Sequence, residues 1–535
     1  MGFFNKALTF AERGSAEEAV HQLEHNDDPT GREIQKAEQE IPAHHDRVID
    51  RSWGARMGIF CSGAALMTGG YFNSLMSPVN LVFNAKYPET YTSTMSTRVS
   101  NALLIGEIIG MLFVGLTCDF MGRKWAMITT TMCIIIGGIL ATAAHGTTTA
   151  GMFWMIVVMR GVIGFGTGGE YPASSTTAAE SANESVKHRG RIFILVTNLP
   201  LSLGTPFCYT VFLIVWCAAG GADHYSTIWR VCFGIGCIWP VFIFIFRWKT
   251  QKSVIFSKSR FMNWSLPWHR VVMFYWKRLV GTCLAWAIYD FITFPNGIFS
   301  GLIIEDVVGN GDIKKTAEWQ LLLGWIAIPG VIIGAFLCDI IGRKWTLIAG
   351  FAGYLIFGLV IGCAFDQISN ITALFVVFYG LFNSCGNMGP GDMMGILSTE
   401  LYATPVRGTL YGFSAACGKA GAAIGTQVFR QIQNNLGKRW TFIISAIVGC
   451  SGILVTLLFI PNLKEEDLGF EDQVFIAYLR KHGYQGQIGD DKPDASDSDN
   501  GSVDDKKDHM VSVRPLDHER SRSDSEDGGG ISYVR

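Results

Sequence analysis

The octapeptide CDFMGRKW, at Cys118–Trp125, returns as CDIIGRKW at Cys338–Trp345, an offset of 220 residues. Glu180 returns at the same offset as Glu400, and each glutamate is followed within ten residues by an Arg-Gly pair. Two motifs that share one offset predict two halves of the same orientation, related by an axis along the membrane normal.

The composition around this repeat is that of a membrane protein. Of the 535 residues, 49% are hydrophobic and only 16% are charged, and the mean hydropathy is +0.28. Apolar runs of about 20 residues, enough to cross a hydrocarbon core of roughly 30 Å, recur along the chain. The predicted spans are residues 57–83, 99–119, 125–145, 151–177, 191–216, 229–248, 279–303, 319–341, 345–365, 371–399, 408–430 and 440–460. We therefore predict an all-α polytopic membrane protein with twelve transmembrane helices in two six-helix halves.

The basic residues between these spans predict the topology. They cluster in alternate loops, and the positive-inside rule then places those loops and both termini in the cytoplasm. The predicted domains are a cytoplasmic N-terminal segment (1–55), an N-terminal half (56–248), a basic connecting loop (249–278), a C-terminal half (279–461) and a cytoplasmic tail (462–535). The tail is too polar to build a core after about residue 488, so we predict disorder there. Ser523 and Ser525 are candidates for phosphorylation, with a solvated spacer as the alternative.

The repeated Asp-x-x-Gly-Arg-Lys loops resemble the signature loop of the major facilitator superfamily. In that superfamily the aspartate and the basic residues make contacts between helices that favour one access state. Ordinary topological anchors would explain the basic residues but not the aspartates. We therefore predict a gating role for these loops and their partners, namely Asp119, Arg123, Glu180, Arg189, Asp339, Arg343, Glu400 and Arg407.

GFGTGG, at Gly164–Gly169, matches G-x-G-x-x-G but lies in an apolar span and follows no strand pattern. Close helix packing explains it better than nucleotide binding. The chain contains no Walker motif, and its 13 cysteines include no C-x-x-C pair. We expect no cofactor and no metal, and transport driven by an ion gradient rather than by ATP.

Charged residues within the spans are costly and indicate function. Burial disfavours the charged form of a carboxyl group, so such acids can alternate between protonated and ionised states and couple transport to protons. Lys419, in ACGKAGAAIG, is the expected counter-charge for an anionic substrate. For each acid a fixed buried ion pair is the alternative, and Arg160 is a candidate tether for one of them. The acids within the predicted spans are Glu107, Glu170, Asp290 and Asp392.

The seventh predicted span places aromatic residues around its acid. Trp286 precedes Asp290 by one helical turn and Phe294 follows it by one turn, on the same face. Pro295 and Gly297 should break this helix locally and free backbone groups for a ligand. We predict that this face lines a cavity, although residues that pack in a core would have the same spacing.

Several segments together resemble the phosphate-type branch of the major facilitator superfamily, and most of all the fungal glycerophosphoinositol and glycerophosphocholine permeases. These segments are GGEYP, YDFITFP, GPGDMMGILSTE to TPVRGTLYG, GKAGAAIGT and FIAYLRKHGYQG. The likeness covers residues 50–488 and implies the major facilitator fold and proton-coupled uptake of glycerophosphodiesters.

The resemblance also assigns residues. In related phosphate symporters an acid and a tyrosine in the fourth span lie near the phosphate, matched by Glu170 and Tyr171. A tryptophan and an aspartate in the seventh span of those symporters, and a lysine in the eleventh, are matched by the tryptophan, aspartate and lysine described above. An acid of the first span is replaced by Gly69 and Gly70, and a seventh-span tyrosine by Phe294, which argues for a ligand larger than phosphate.

The predicted function is proton-coupled import of a glycerophosphodiester at the plasma membrane by a monomeric, multi-pass transporter that is not an enzyme and binds no nucleic acid. An inorganic phosphate:proton symporter and a nutrient-sensing transceptor are the alternatives, and the head group stays open. The predicted substrate-binding residues are Tyr171, Trp286, Asp290, Phe294, Asp392 and Lys419, and the predicted proton-coupling residues are Glu170, Asp290 and Glu107.

Overall fold

The computed structural model describes residues 53–121, 123–182, 188–249, 266–308, 311–463 and 468–484. The predictions for the N-terminal segment and for the tail serines lie outside these residues. The side chains of Arg123 and Glu180 also lie outside the described part, so their predicted gating roles stay predictions. Within the described residues every regular element is a helix.

The first half of the described chain forms six membrane crossings. Three of the crossings are continuous helices, and the other three are each made of two helices in series. The helices are α1 (Trp53–Ser74), α2 (Met76–Lys86), α3 (Ser93–Met121), α4 (Arg123–Thr142), α5 (Thr149–Ala182), α6 (Arg189–Val196), α7 (Asn198–Ala218), α8 (Tyr225–Gly236) and α9 (Ile238–Lys249).

The second half forms six more crossings, followed by a helix of the predicted tail. Its helices are α10 (Trp268–Ile298), α11 (Ser300–Val308), α12 (Ile313–Ile340), α13 (Arg343–Cys363), α14 (Phe365–Ser369), α15 (Thr372–Gly386), α16 (Asp392–Glu400), α17 (Thr404–Leu436), α18 (Arg439–Phe459) and α19 (Leu468–Lys481). The five-residue π-helical segment Asn387–Gly391 joins α15 to α16. Because α10 begins at Trp268, the last part of the predicted connecting loop is helical instead.

The prediction of an all-α membrane protein with twelve helical crossings is confirmed. Among the described residues, nine segments are long and apolar enough to cross a membrane on length and composition alone. The other three crossings are α1–α2, α15–α16 and α17, which contain helix breaks or intramembrane charge. Large apolar side chains such as Phe113, Ile214, Ile340 and Ile447 are exposed on the outer surface, as expected for helices that face lipid.

Glycines set the helix spacing in the first half. A Cβ atom at Gly164 would lie 2.1 Å from the carbonyl oxygen of Leu103, and one at Gly168 would lie 2.3 Å from that of Glu107. Only glycine permits this approach of α5 to α3, because any side chain would displace the neighbouring backbone. The GFGTGG motif is therefore a packing surface.

Four helix breaks position the functional site. The crossings are interrupted at Leu75, at Thr197, at Phe299 and in the π-helical segment Asn387–Gly391. Residues beside each break line one central cavity. Irregular backbone at membrane depth is tolerated where it is buried in protein or lines a cavity, because its polar groups find partners there.

Candidate functional site

A cavity of ≈ 230 Å³ lies between the two halves. Its wall contains five of the six residues predicted to bind substrate, namely Tyr171, Trp286, Asp290, Phe294 and Lys419. Tyr171 comes from α5 in the first half, and the other four come from α10 and α17 in the second half. The structure thus brings together residues that lie up to 248 positions apart in the sequence.

The wall provided by α10 follows the predicted helical spacing. Trp286, Asp290 and Phe294 succeed one another at intervals of four residues and all face the cavity. The predicted break at Pro295 and Gly297 is wrong, since α10 continues to Ile298 and the chain bends at Phe299. Pro295 lies inside the helix, and its carbonyl accepts a hydrogen bond from the backbone N–H of Phe299 at 3.0 Å.

Lys419 lies between two carboxylates and two aromatic rings. Its Nζ is 3.2 Å from Asp290 Oδ2 and 3.8 Å from Glu107 Oε2. The same atom is 3.7 Å from the ring centroid of Phe294 and 5.3 Å from that of Tyr171, within the range of cation–π attraction. Only 2% of Lys419 is exposed, so its charge interacts mainly with these four side chains.

Glu107 lies behind this lysine and does not line the cavity. Its Oε1 accepts hydrogen bonds from Asn73 Nδ2 at 2.9 Å and from Thr167 Oγ1 at 3.3 Å. Its Oε2 has no hydrogen-bond partner among the described residues, which leaves one oxygen for Lys419 or for a proton. Arg160, the candidate tether, donates instead from Nε to the carbonyl of Val99 at 2.9 Å.

Glu170 does not share the pathway with Tyr171, and this expectation is corrected. Its carboxylate accepts hydrogen bonds from Arg247 Nη1 at 2.5 Å and Nη2 at 2.8 Å, and from Thr130 and Ser174. Successive residues of an α-helix point about 100° apart, so two neighbours seldom face one cavity. Glu170 therefore forms a fixed buried ion pair with Arg247, which was the alternative given for each acid.

Asp392 also lies outside the cavity wall, contrary to its predicted place among the substrate-binding residues. Its side chain is fully buried and accepts a hydrogen bond of 3.3 Å from Asn198 Nδ2. The preceding π-helical segment Asn387–Gly391 inserts an extra residue per turn, which rotates α16 relative to α15. Asp392 Oδ2 faces α12, where a Cβ atom at Gly334 would lie 2.2 Å from it.

Six of the eight predicted gating residues have described side chains, and these six gather at one end of the bundle, which we call the basic end and define by Arg189, Arg343 and Arg407. Asp119 of α3 accepts hydrogen bonds from the backbone N–H groups of Gly408 and Thr409, at 3.2 and 2.7 Å. These bonds join the first half of the chain to the start of α17 in the second half.

A buried charge cluster makes the second connection at the basic end. Glu400 of α16 is 2.8 Å from Arg189 Nη2 of α6 and 3.2 Å from Arg343 Nε of α13. Asp339 lies 3.5 Å from Arg343 Nη1 and accepts from the backbone N–H of Arg191 at 3.3 Å. The two halves are therefore held together here by charge-assisted contacts.

The tail helix α19 docks at the same end. Asp472 accepts hydrogen bonds from the N–H and Oγ1 of Thr404, at 2.6 and 2.8 Å, and so caps α17. Glu471 lies 2.6 Å from Arg278 Nη1. Burial raises the pKa of the Glu471 carboxyl, and the Arg278 guanidinium partly offsets that effect. The sequence analysis did not predict this helix.

The sequence analysis missed the uncharged polar wall of the cavity. The residues of this wall are Asn73, Asn198, Tyr209, Ser300 and Gln320, and Asn73, Asn198 and Ser300 lie within two residues of a helix break. Polar residues in a span are ordinary enough to escape notice, since each costs far less to bury than a charge. Of these, Ser300 alone follows a break predicted from the sequence, in the seventh span, and the sequence offered no comparable signal for the others.

Gly70, where the sequence suggested that loss of an acid leaves more room, lines the cavity and also packs against α7. A Cβ atom at Gly70 would lie 2.0 Å from the carbonyl oxygen of Leu201, so the glycine allows α7 to approach α1. Asn73, one turn later, provides the polar side chain on this wall instead.

Comparison with known proteins agrees with this arrangement. The chain matches the family described as Sugar (and other) transporter over residues 57–263 and again over residues 264–475. It is 52% identical to Glycerophosphoinositol permease 1 of Candida albicans, over 85% of this chain and 87% of that protein. It is 48% identical to Glycerophosphoinositol transporter 1 of Saccharomyces cerevisiae, over 87% of this chain and 92% of that protein.

The fold is that of a solved transporter. The proton:xylose symporter XylE of the major facilitator superfamily, bound to 6-bromo-6-deoxy-D-glucose, superposes with a TM-score of 0.65 at 17% identity. The match covers 79% of this chain and 99% of the symporter. The predicted major facilitator fold and the predicted likeness to fungal glycerophosphodiester permeases are confirmed.

Proposed function

This chain belongs to the Sugar (and other) transporter family, and we propose that it imports glycerophosphodiesters together with protons by alternating access. The chain is a multi-pass membrane transporter and not an enzyme. The names of its two relatives support the substrate class. The observation that carries the proposal is the position of Lys419 in the cavity, with an acid from each half beside its ammonium group.

Charge balance at Lys419 links the anion to protons. When Asp290 and Glu107 are both ionised, the three side chains carry a net charge of minus one, which repels a phosphodiester. One bound proton brings the net charge to zero, and a second makes it plus one. Binding of the anion therefore favours protonation of Asp290 or Glu107, and each ligand promotes binding of the other.

The extent of the cavity supports a diester over inorganic phosphate. It reaches from Phe193, towards the basic end, past Lys419 to Ser300, near the opposite end. Trp286 and Tyr171 provide apolar surface between these limits. Inorganic phosphate would fill only the part around the lysine, whereas a diester has an arm on each side of its phosphorus.

Contacts between the halves at both ends support alternating access. At the basic end Asp119 and Glu400 make the contacts described above. At the opposite end Ser77 Oγ lies 3.3 Å from Ser300 Oγ and accepts from the backbone N–H of Gly301 at 3.1 Å. Each set must separate in turn to admit and release substrate. We place the basic end and both termini in the cytoplasm and the transporter in the plasma membrane.

Uptake by cells that lack their own diester permeases tests this function. The panel contains labelled glycerophosphoinositol, glycerophosphocholine, glycerol 3-phosphate and phosphate, each at an acidic and an alkaline external pH. We expect uptake of a diester that excess phosphate does not abolish and that falls at alkaline pH. Uptake of phosphate alone would support the phosphate symporter instead. A nutrient response without uptake would support the transceptor.

A further inference from the structure

A group of four uncharged polar side chains lies at the end of the cavity opposite the basic end, and all of them except Ser77 line the cavity wall. We call it the neutral cluster and define it as Ser77, Tyr209, Ser300 and Gln320. All four residues are buried, and they come from α2, α7, α11 and α12, so both halves contribute. Ser300 Oγ donates to Gln320 Oε1 at 3.0 Å. The cluster contains no acid and no base.

Gln320 is only partly satisfied. Its Oε1 accepts from Ser300, but its Nε2 has no hydrogen-bond partner among the described residues, although only 2% of the residue is exposed. If the amide were turned over, its oxygen would be the atom without a partner instead. Because a hydroxyl group both donates and accepts, it can satisfy either orientation. Gln320 lines the cavity, so a ligand hydroxyl can reach it.

The spacing relates the neutral cluster to the phosphate position. The ring of Phe294 lies against Lys419 Nζ, and Ser300 follows Phe294 by six residues. At 1.5 Å per residue a straight helix rises roughly 9 Å over six residues, and the bend at Phe299 makes this an upper value for the interval. A six-membered polyol ring esterified to a phosphate at Lys419 reaches across such a distance. Inorganic phosphate cannot.

The cavity wall between these points is open. Gly297 lies between Phe294 and Ser300 and lines the cavity. A Cβ atom at Gly297 would have no heavy atom within 4 Å, in contrast to the crowded glycines that pack helices elsewhere. Helix packing therefore does not account for the open side of α10 at this position.

We propose that the neutral cluster is the subsite for a polyol head group, and that Gln320 selects such a head group over a quaternary ammonium. This inference rests on the proposed function and specifies the diester. A ring of hydroxyl groups satisfies the Gln320 amide and bridges the two halves. A trimethylammonium group offers neither a donor nor an acceptor, so it leaves the amide without a partner.

The test compares two diesters in one variant. We expect Gln320→Leu to lower kcat/KM for glycerophosphoinositol about tenfold, the effect of one hydrogen bond, and to leave that for glycerophosphocholine nearly unchanged. Gln427→Leu, at an exposed glutamine of α17, is the matched control. An equal loss for both diesters at equal surface level would overturn the proposal, since the cluster would then bind the glycerol arm that the two share.

A second variant keeps the test decisive if Gln320→Leu fails to reach the membrane. Gly297→Leu fills the open space without deleting a hydrogen bond. We expect it to lower uptake of glycerophosphoinositol more than it lowers the ability of glycerol 3-phosphate to compete for the transporter. Unchanged preference in this variant would count against the subsite. Absence of uptake of either diester by the unmodified chain would refute the proposed function itself, which is a separate result.

Discussion

Replacement of Lys419 by glutamine is expected to abolish most diester uptake, because it removes the positive charge but keeps a polar side chain of similar length. At the 3.2 Å that separates Lys419 Nζ from Asp290 Oδ2, the Coulomb attraction is about 5 kcal/mol for an effective dielectric constant of about 20. A phosphate oxygen in that place gains a similar attraction and loses its hydration. The net contribution of a hydrogen bond to a charged group is roughly 1.5–3 kcal/mol. We therefore expect kcat/KM to fall about ten- to a hundredfold.

Initial rates of labelled glycerophosphoinositol uptake, divided by the amount of transporter at the cell surface, measure this effect. Lys315→Gln, at an exposed lysine of α12, is the matched control. Because Lys419→Gln leaves Asp290 and Glu107 without a counter-charge, the double variant Lys419→Gln with Asp290→Asn separates misfolding from lost binding. We expect it to reach the membrane and to remain inactive. Uptake by Lys419→Gln within about twofold of the unmodified chain, the range of a surface substitution, would refute the reasoning.

Three further substitutions test the other acids. Asp290→Asn should still exchange labelled for unlabelled diester across a vesicle membrane. It should no longer accumulate diester under a pH gradient, since one proton site is lost. Accumulation like that of the unmodified chain would contradict this. Glu170→Gln leaves Arg247 buried without its partner, at a cost of about 3–5 kcal/mol, so a lower Tm in detergent is expected and an unchanged Tm would argue against the pair. Asp392→Asn should keep the KM for diester, because the carboxylate does not line the cavity, and a large rise in KM would place it there after all.

The contacts at the basic end could be predicted because the motif that makes them occurs twice in the sequence, whereas their gating role stays a prediction. Two copies of one loop at one offset identify Asp119 and Asp339 as more than topological anchors, and the structure places both in contacts between helices. The partner acid Glu400 was located by the same offset and lies in the buried cluster at the basic end. The repeat thus predicted where these residues lie, since the two halves have the same arrangement of helices.

The orientation of Glu170 could not be predicted in this way. Its neighbour Tyr171 faces the cavity, and the motif GGEYP presented the two residues as a unit. The sequence analysis did not name Arg247 as a partner for any acid, because a rule based on loop charge does not distinguish an exposed arginine from a buried one. Glu170 itself could have indicated a cationic partner, since a carboxylate buried away from the pathway needs a cation from a neighbouring helix.

The two carboxylates at Lys419 belong to different halves, and this difference bears on how protonation of each one affects transport. Asp290 and Lys419 both lie in the second half, on α10 and α17, so a rigid movement of one half against the other keeps them together. Glu107 lies on α3 of the first half, and its 3.8 Å contact with Lys419 must stretch when the halves separate. An ionised Glu107 opposes that separation by attracting the lysine, whereas a protonated Glu107 does not. A diester that occupies Lys419 weakens the same contact. We propose that the proton on Asp290 acts on affinity for the anion and that the proton on Glu107 acts on the movement that carries it.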